Sequence, residues 1–163
     1  MKPAVRTFVE QLALQFCGEG MPLIAGRVTA YLLVSEGPRS LDEMATALGV
    51  SRASVSTDTR RLEEKGLLVR LSLPGDRRTY YSLAPDGFQT ALVGRIRAMT
   101  RFREMLEGAQ SRPVAVDSTE VRTRLAEWID FHLAVTDSLE DLLEKWKKRN
   151  APRRTARRRG KVA

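Results

Sequence analysis

One histidine, His132, and one cysteine, Cys17, are all the imidazole and thiol that 163 residues offer. A closed zinc-type site draws on about four such ligands, so no metal centre is expected. A Ser-His-Asp or Cys-His arrangement lacks a histidine elsewhere in the chain, and nothing positions a Ser-Lys pair. No enzyme and no cofactor are expected. A single thiol excludes an internal disulfide framework and suits a reducing compartment. No apolar run approaches the roughly 20 residues that span a bilayer. Met1-Lys2-Pro3 leads into an amphipathic segment and not into a signal-peptide core, which predicts an unexported, cytoplasmic protein without a membrane partner. Gly18-Glu19-Gly20 lacks both the third glycine and the preceding strand of a dinucleotide loop.

What is abundant is positive charge, and its location matters. The formal net charge is +8, yet residues 145–163 hold ten of the 28 Lys and Arg and no acidic residue. The rest of the chain carries 18 basic against 20 acidic side chains. The excess therefore belongs to one end and does not by itself mark a nucleic-acid surface in the folded part.

Hydrophobic spacing supplies the elements. Val5, Phe8, Val9, Leu12 and Phe16 predict a helix over 3–17, and a second apolar helix runs from Met21-Pro22 to about Val34, stopped by Gly37-Pro38. Ser40 and Glu43 have capping-box spacing for a short helix over 41–48, ended by Gly49. Ser51 is a good N-cap for a helix that reaches Lys65 before Gly66. The period then falls to two. Val69, Leu71 and Leu73, then Thr79, Tyr81 and Leu83, flank Pro74-Gly75-Asp76-Arg77, which predicts a two-stranded hairpin. Phe88, Leu92, Ile96, Met99, Phe102 and Leu106 stripe a long helix, which Arg112-Pro113 breaks. In the last helix, about 118–149, Val121, Leu125, Trp128, His132, Val135, Leu139, Leu142 and Trp146 step by four and three alternately, the pattern of a heptad seam. From Asn150 no large apolar side chain offers a core, and residues 150–163 are expected to form a disordered basic tail.

The order helix, turn, helix, hairpin over residues 38–84 is that of a winged helix-turn-helix. The expected fold class is mostly α with a small β-hairpin wing, joined to long dimerisation helices over 3–36 and 86–149. Met44, Ala45 and Leu48 should pack on Val55, Thr59 and Leu62, which share one helix face. The opposite face then presents Ala53, Ser56, Thr57 and Arg60. Small residues let the backbone approach base edges, hydroxyls bond bases or phosphates, and arginine reaches guanine or phosphate. Arg52 lies in the first turn, where helix N-terminal amides favour phosphate. Arg77 and Arg78 project from the wing tip, suited to a narrow minor groove. Asp76 has the wrong sign for phosphate and is expected to hold an arginine, either at the wing or at Arg60 and Arg61. Residues 51–83 carry seven basic and four acidic side chains, whereas 113–144 carry two and eight.

The stretch Leu41-Asp-Glu-Met-Ala-Thr-Ala-Leu-Gly-Val-Ser-Arg-Ala-Ser-Val-Ser, with Leu62-Glu-Glu-Lys-Gly-Leu-Leu and Pro74-Gly-Asp-Arg-Arg, resembles the multiple-antibiotic-resistance regulator (MarR) superfamily. Gly20-Met-Pro-Leu-Ile-Ala-Gly-Arg-Val and Arg78-Thr-Tyr-Tyr are similar to its glycine-betaine-synthesis-regulator (GbsR) branch. The likeness covers about residues 18–85. It implies a homodimer through residues 3–17 and 86–149 that regulates transcription on double-stranded DNA. It further implies groove contacts from Ser54, Ser56, Thr57 and Arg60, with Arg77 or Arg78 in the wing, and a small-molecule effector. Two-fold symmetry would set the recognition helices about 34–36 Å apart on a palindromic operator.

Phe16, Tyr31, Trp128 and His132 form the candidate effector pocket, an aromatic set of the type that binds quaternary ammonium groups. For His132 the favoured reading is a hydrogen-bonded interface residue, with the ligand-pocket or pH-sensing role as the alternative. Cys17 lacks the surroundings of the superfamily's peroxide-sensing cysteines, and an inert thiol is expected. With Arg52, Ala53, Ser54, Ser56, Thr57, Arg60, Arg61, Arg77 and Arg78, the candidate DNA-contacting set is complete. Two other readings stay open, a winged-helix protein-docking module and a sequence-blind architectural DNA binder with a basic tail.

Overall fold

A computed structural model describes residues 1–111 and 118–159, with side chains described as far as Asn150. The Arg112-Pro113 break therefore lies outside the described residues. The elements run α1 (Pro3–Gly18), α2 (Leu23–Leu33), β1 (Arg39–Ser40), α3 (Leu41–Leu48), α4 (Arg52–Glu64), β2 (Leu68–Ser72), β3 (Thr79–Leu83), α5 (Gly87–Gln110) and α6 (Thr119–Arg159). The chain is thus mostly helical with a small antiparallel sheet. Two compact units are present, Met1–Ala91 and Leu92–Ala163.

In the first unit the local signals act as their chemistry dictates. Ser40 caps α3 by accepting the Glu43 N–H at 3.3 Å, while the Glu43 carboxylate accepts the Ser40 N–H at 2.7 Å. Gly49 ends α3 in the left-handed conformation (φ 65°), which lets the chain turn sharply into α4. Ser51 caps α4 by accepting the Ser54 N–H at 3.0 Å. The expected helix-turn-helix packing is present. Met44, Val55, Leu62 and Thr59 are buried, with Ala45 and Leu48 half-buried against the same cluster. Ala25, Val28 and Leu32 of α2, with Leu68 and Tyr81 of the sheet, complete that core, so the packing of the winged-helix segment extends back into α2.

α1 meets α2 at close range. A Cβ on Gly26 would stand 2.9 Å from the Ala13 carbonyl oxygen, and Arg27 pairs with Glu10 at 2.9 Å. Because the obstacle is backbone, Gly26→Ala must part the two helices. It is expected to cost about 1–3 kcal/mol, read as a lower urea midpoint for the full chain. An unchanged midpoint would show that the helices can separate freely.

The wing departs from the two-stranded expectation. β1 pairs with β3 through Arg39↔Tyr81 and Ser40↔Tyr80, making a three-stranded sheet in the order β1-β3-β2. A two-residue strand has no periodicity to detect. As the central strand, β3 has neighbours on both edges, and both Tyr80 and Tyr81 are buried. The apolar face expected from Val69, Leu71 and Leu73 is not a core face along its length. Leu68 is buried, while Leu71 and Leu73 are exposed as the hairpin leaves the core.

In the second unit, α6 continues to Arg159, ten residues past the end expected at Arg149. Its backbone is therefore helical over 150–159, where a disordered tail was expected. Alanine and arginine in this stretch favour helix, while Pro152 within it removes one intrahelical N–H donor. Residues 160–163 lie outside the described residues. The heptad seam divides. Leu125, His132, Val135 and Leu139 are half-buried, while Val121, Trp128, Leu142 and Trp146 remain exposed within this chain.

Candidate nucleic-acid interface

The outer face of α4 carries Ala53, Thr57 and Arg60, all exposed, with Ser56 half-buried beside them. It lies opposite Val55, Thr59 and Leu62, as helical spacing requires. The Thr57 hydroxyl donates to the Ala53 carbonyl at 3.1 Å, which commits its proton and leaves its lone pairs and methyl outward. Ser54 is tied into the cap, its hydroxyl 2.8 Å from that of Ser51, and is half-buried.

The arginines fall into two groups. Arg52 pairs with Asp42 of α3 at 2.8 Å. Arg61 pairs at 3.1 Å with Asp58, whose side chain has only 9% of its surface exposed. Arg78 is bound by Asp76. Its Nε and Nη2 donate to one carboxylate oxygen at 3.0 and 2.7 Å, and its backbone N–H donates to the other at 2.9 Å. Arg60 and Arg77 have no ion-pair partner among the described residues. Of the two roles expected of Asp76, the structure selects the wing.

Three residues that the sequence reading did not place at the site now belong to it. Asp42 and Asp58 hold arginines, and Tyr80 donates its hydroxyl to Asp76 at 2.7 Å. The Asp42–Arg52 pair joins two helices, and the Tyr80 contact needs the folded turn. Only Asp58–Arg61, at i and i+3, had a signal in the sequence.

Hydrogen bonds from the Arg78 guanidinium, then from its backbone N–H and the Tyr80 hydroxyl, hold the Asp76 carboxyl well below the usual carboxylate range. The carboxylate in turn raises both Arg78 and Tyr80. The folded pKa of Asp76 is depressed, so its contribution is complete above about 3.8, the ordinary aspartate value, and is lost as pH falls below it. Asp76→Asn is expected to flatten the acid limb of the unfolding midpoint between about pH 4 and pH 2. Parallel limbs in variant and parent would remove this linkage.

The aromatic candidates are distributed over both units. In the second, Trp128 stacks on His132 at 5.8 Å between ring centroids, and Phe102 stands 4.9 Å from His132 and 6.3 Å from Trp128. Phe131 meets His132 edge-on at 5.6 Å. The His132 Nδ1 lies 2.7 Å from the Trp128 carbonyl, which can only accept, so Nδ1 carries the hydrogen. Phe16 and Tyr31 belong to α1 and α2 of the first unit, both half-buried. Tyr31 lines an open cleft of about 600 Å³ with Met1, Arg6, Asp42, Glu43, Thr46 and Ala47, and Phe16 is not part of it. Cys17 is exposed at the end of α1. Among the described residues no His, Cys, Asp and Glu cluster could hold a metal, and no helix is long and apolar enough to cross a membrane.

A short helix, a tight turn, a second helix with an open face and a three-stranded wing define a winged-helix protein. Residues 31–80 match the MarR family model. A crystal structure described as that of a transcriptional regulator is 32% identical and superposes with a TM-score of 0.77, covering 90% of this chain and 99% of that one. The HTH-type transcriptional regulator MmpR5 of Mycobacterium tuberculosis (strain ATCC 25618 / H37Rv) is 38% identical over 107 residues, 65% of each chain. YvaV of Bacillus subtilis (strain 168) is 25% identical over 140 residues, 77% of this chain and 79% of that protein. The chain thus spans just under two thirds of the mycobacterial relative. Over residues 31–80 the chain is thus similar to the MarR family, and along most of its length it is similar to a solved transcriptional regulator.

Proposed function

We propose that this protein is a sequence-specific DNA-binding transcriptional regulator that acts as a homodimer on a palindromic operator. The observation that carries the reading is the pairing pattern of the arginines. Arg60 on the outer face of α4 and Arg77 at the wing tip are the candidate-site arginines without an internal anion, while small side chains surround Arg60. In this reading α4 enters the major groove, with Arg60, Ser56 and Thr57 at base edges, and the wing reaches the adjacent minor groove. Arg52, Ser54 and Arg61 serve the backbone and the helix start.

Dimerisation through α1, α5 and α6 is supported by the exposed row Val121, Trp128, Leu142 and Trp146, apolar surface that a second copy would cover. Trp128 and His132, which Phe102 joins, are the better-formed half of the expected effector set. We place there a cationic ligand of quaternary ammonium type, in keeping with the GbsR-like segments at Gly20 and Arg78. The basic end of the chain adds affinity for phosphate without sequence preference.

The deciding test is binding of the full chain to duplex from its own promoter region and to random duplex, both at physiological salt. A preference of about 10³-fold or more establishes specific recognition. Equal, steeply salt-dependent binding to both points to a sequence-blind binder, and no binding points to a protein-docking module.

A further inference from the structure

We propose that Tyr80 is a positioning residue of the wing, which holds Arg78 through Asp76 in the orientation in which the wing meets DNA. The inference rests on the DNA-binding reading above and adds to it a residue that does not itself reach the nucleic acid. Asp76, Arg78 and Tyr80 form a closed loop in which each touches the other two. The Tyr80 hydroxyl donates to Asp76 Oδ2 at 2.7 Å, Arg78 Nη2 donates to the same oxygen at 2.7 Å, and the Arg78 guanidinium lies over the Tyr80 ring at 5.2 Å.

Tyr80 is the fixed member. It has 5% of its surface exposed and is registered on the central strand between Ser40 of β1 and Leu71 of β2. Asp76 lies in the turn, and Arg78 precedes β3. The phenol therefore transmits the position of the sheet to a carboxylate that would otherwise move with the turn. The carboxylate takes up the Nε and Nη2 edge of the guanidinium, leaving Nη1 for a phosphate or a groove edge. An arginine already set in one geometry loses less freedom on entering a narrow groove. Arg77 stands outside the loop, so Tyr80 should act on DNA through Arg78 and not through Arg77.

Tyr80→Phe removes only the hydroxyl and keeps the buried ring. In the full chain it is expected to weaken binding to the preferred duplex by about 3- to 10-fold, with little change on random duplex. The loss should vanish when Arg78→Ala is already present and persist in full beside Arg77→Ala. An equal loss in both backgrounds, or none in either, overturns the proposal. Asp76→Asn, which leaves the Tyr80 ring untouched, should reproduce the pattern. A second readout needs no DNA. The Arg78 Nε–H resonance should be ordered in the parent and mobile in Tyr80→Phe, with Arg77 mobile in both. An Arg78 signal unaffected by the substitution overturns the inference whatever the duplexes do. A parent without duplex preference but with Tyr80-dependent ordering of Arg78 retires the DNA reading alone.

Discussion

Replacing Arg60 and Arg77 together by alanine is expected to lower affinity for the preferred duplex by about 10²- to 10³-fold, the largest functional effect of any pair in the chain. A well-placed arginine is worth roughly 1–3 kcal/mol of discrimination at a base edge, and each 1.4 kcal/mol is a factor of ten. The two residues lie on different elements, so their losses should be close to additive. Binding to random duplex should fall only by the two phosphate charges, and its salt slope by about two. Arg61→Ala provides the contrast. Arg61 already satisfies the buried carboxylate of Asp58, so its removal leaves that charge uncompensated and should reduce stability more than specificity. If the double variant binds preferred and random duplexes as the parent does, α4 and the wing do not read DNA, and protein docking becomes the leading account.

The largest effect on stability is expected at Met44. It has no exposed surface and lies in one cluster with Val28, Val55 and Leu62, where α2, α3 and α4 converge. Met44→Ala removes a side chain from the point at which the helix-turn-helix is joined to α2, and should cost about 2–5 kcal/mol. That is a large part of a typical stability of roughly 5–15 kcal/mol. The measurement is urea unfolding at fixed protein concentration, because an associating chain gains stability by mass action. A lower midpoint with unchanged slope is the expected result. Leu71→Ala, on the exposed part of the wing, should stay within about 0.5 kcal/mol. Equal losses at the two positions would mean that Met44 is not at the centre of the core.

The contrast between Met44 and Leu71 also marks how far the sequence could be read. Both are apolar residues in period with their element. The short helix had Ser40, Glu43 and Gly49 to fix its ends, so its face followed from its spacing. The hairpin had alternation alone, and alternation does not tell where a strand leaves the core. The same holds for the seam of α6, where the spacing marked Trp128 and Leu142 and only the folded chain left them exposed. The aromatic set was legible in part. Trp128 and His132, one helical turn apart, do meet, while Phe102 joins them from another helix, a relation invisible along the chain.

By itself the sequence determined the ends of α3 and α4, the buried face they share, the position of the wing turn and the identity of the outward face of α4. Each depends on residues within about seven positions of one another, where capping and helical period act directly. Tertiary structure alone decided the β1 strand, the burial of Tyr80, the choice of Arg78 by Asp76 and the pairing of Arg52 with Asp42. The Asp76 choice was between arginines far apart in the chain, and the partners of Arg52 and Ser40 come from other elements. A contact that depends on how separate elements meet has no period, and a two-residue strand is too short to show one.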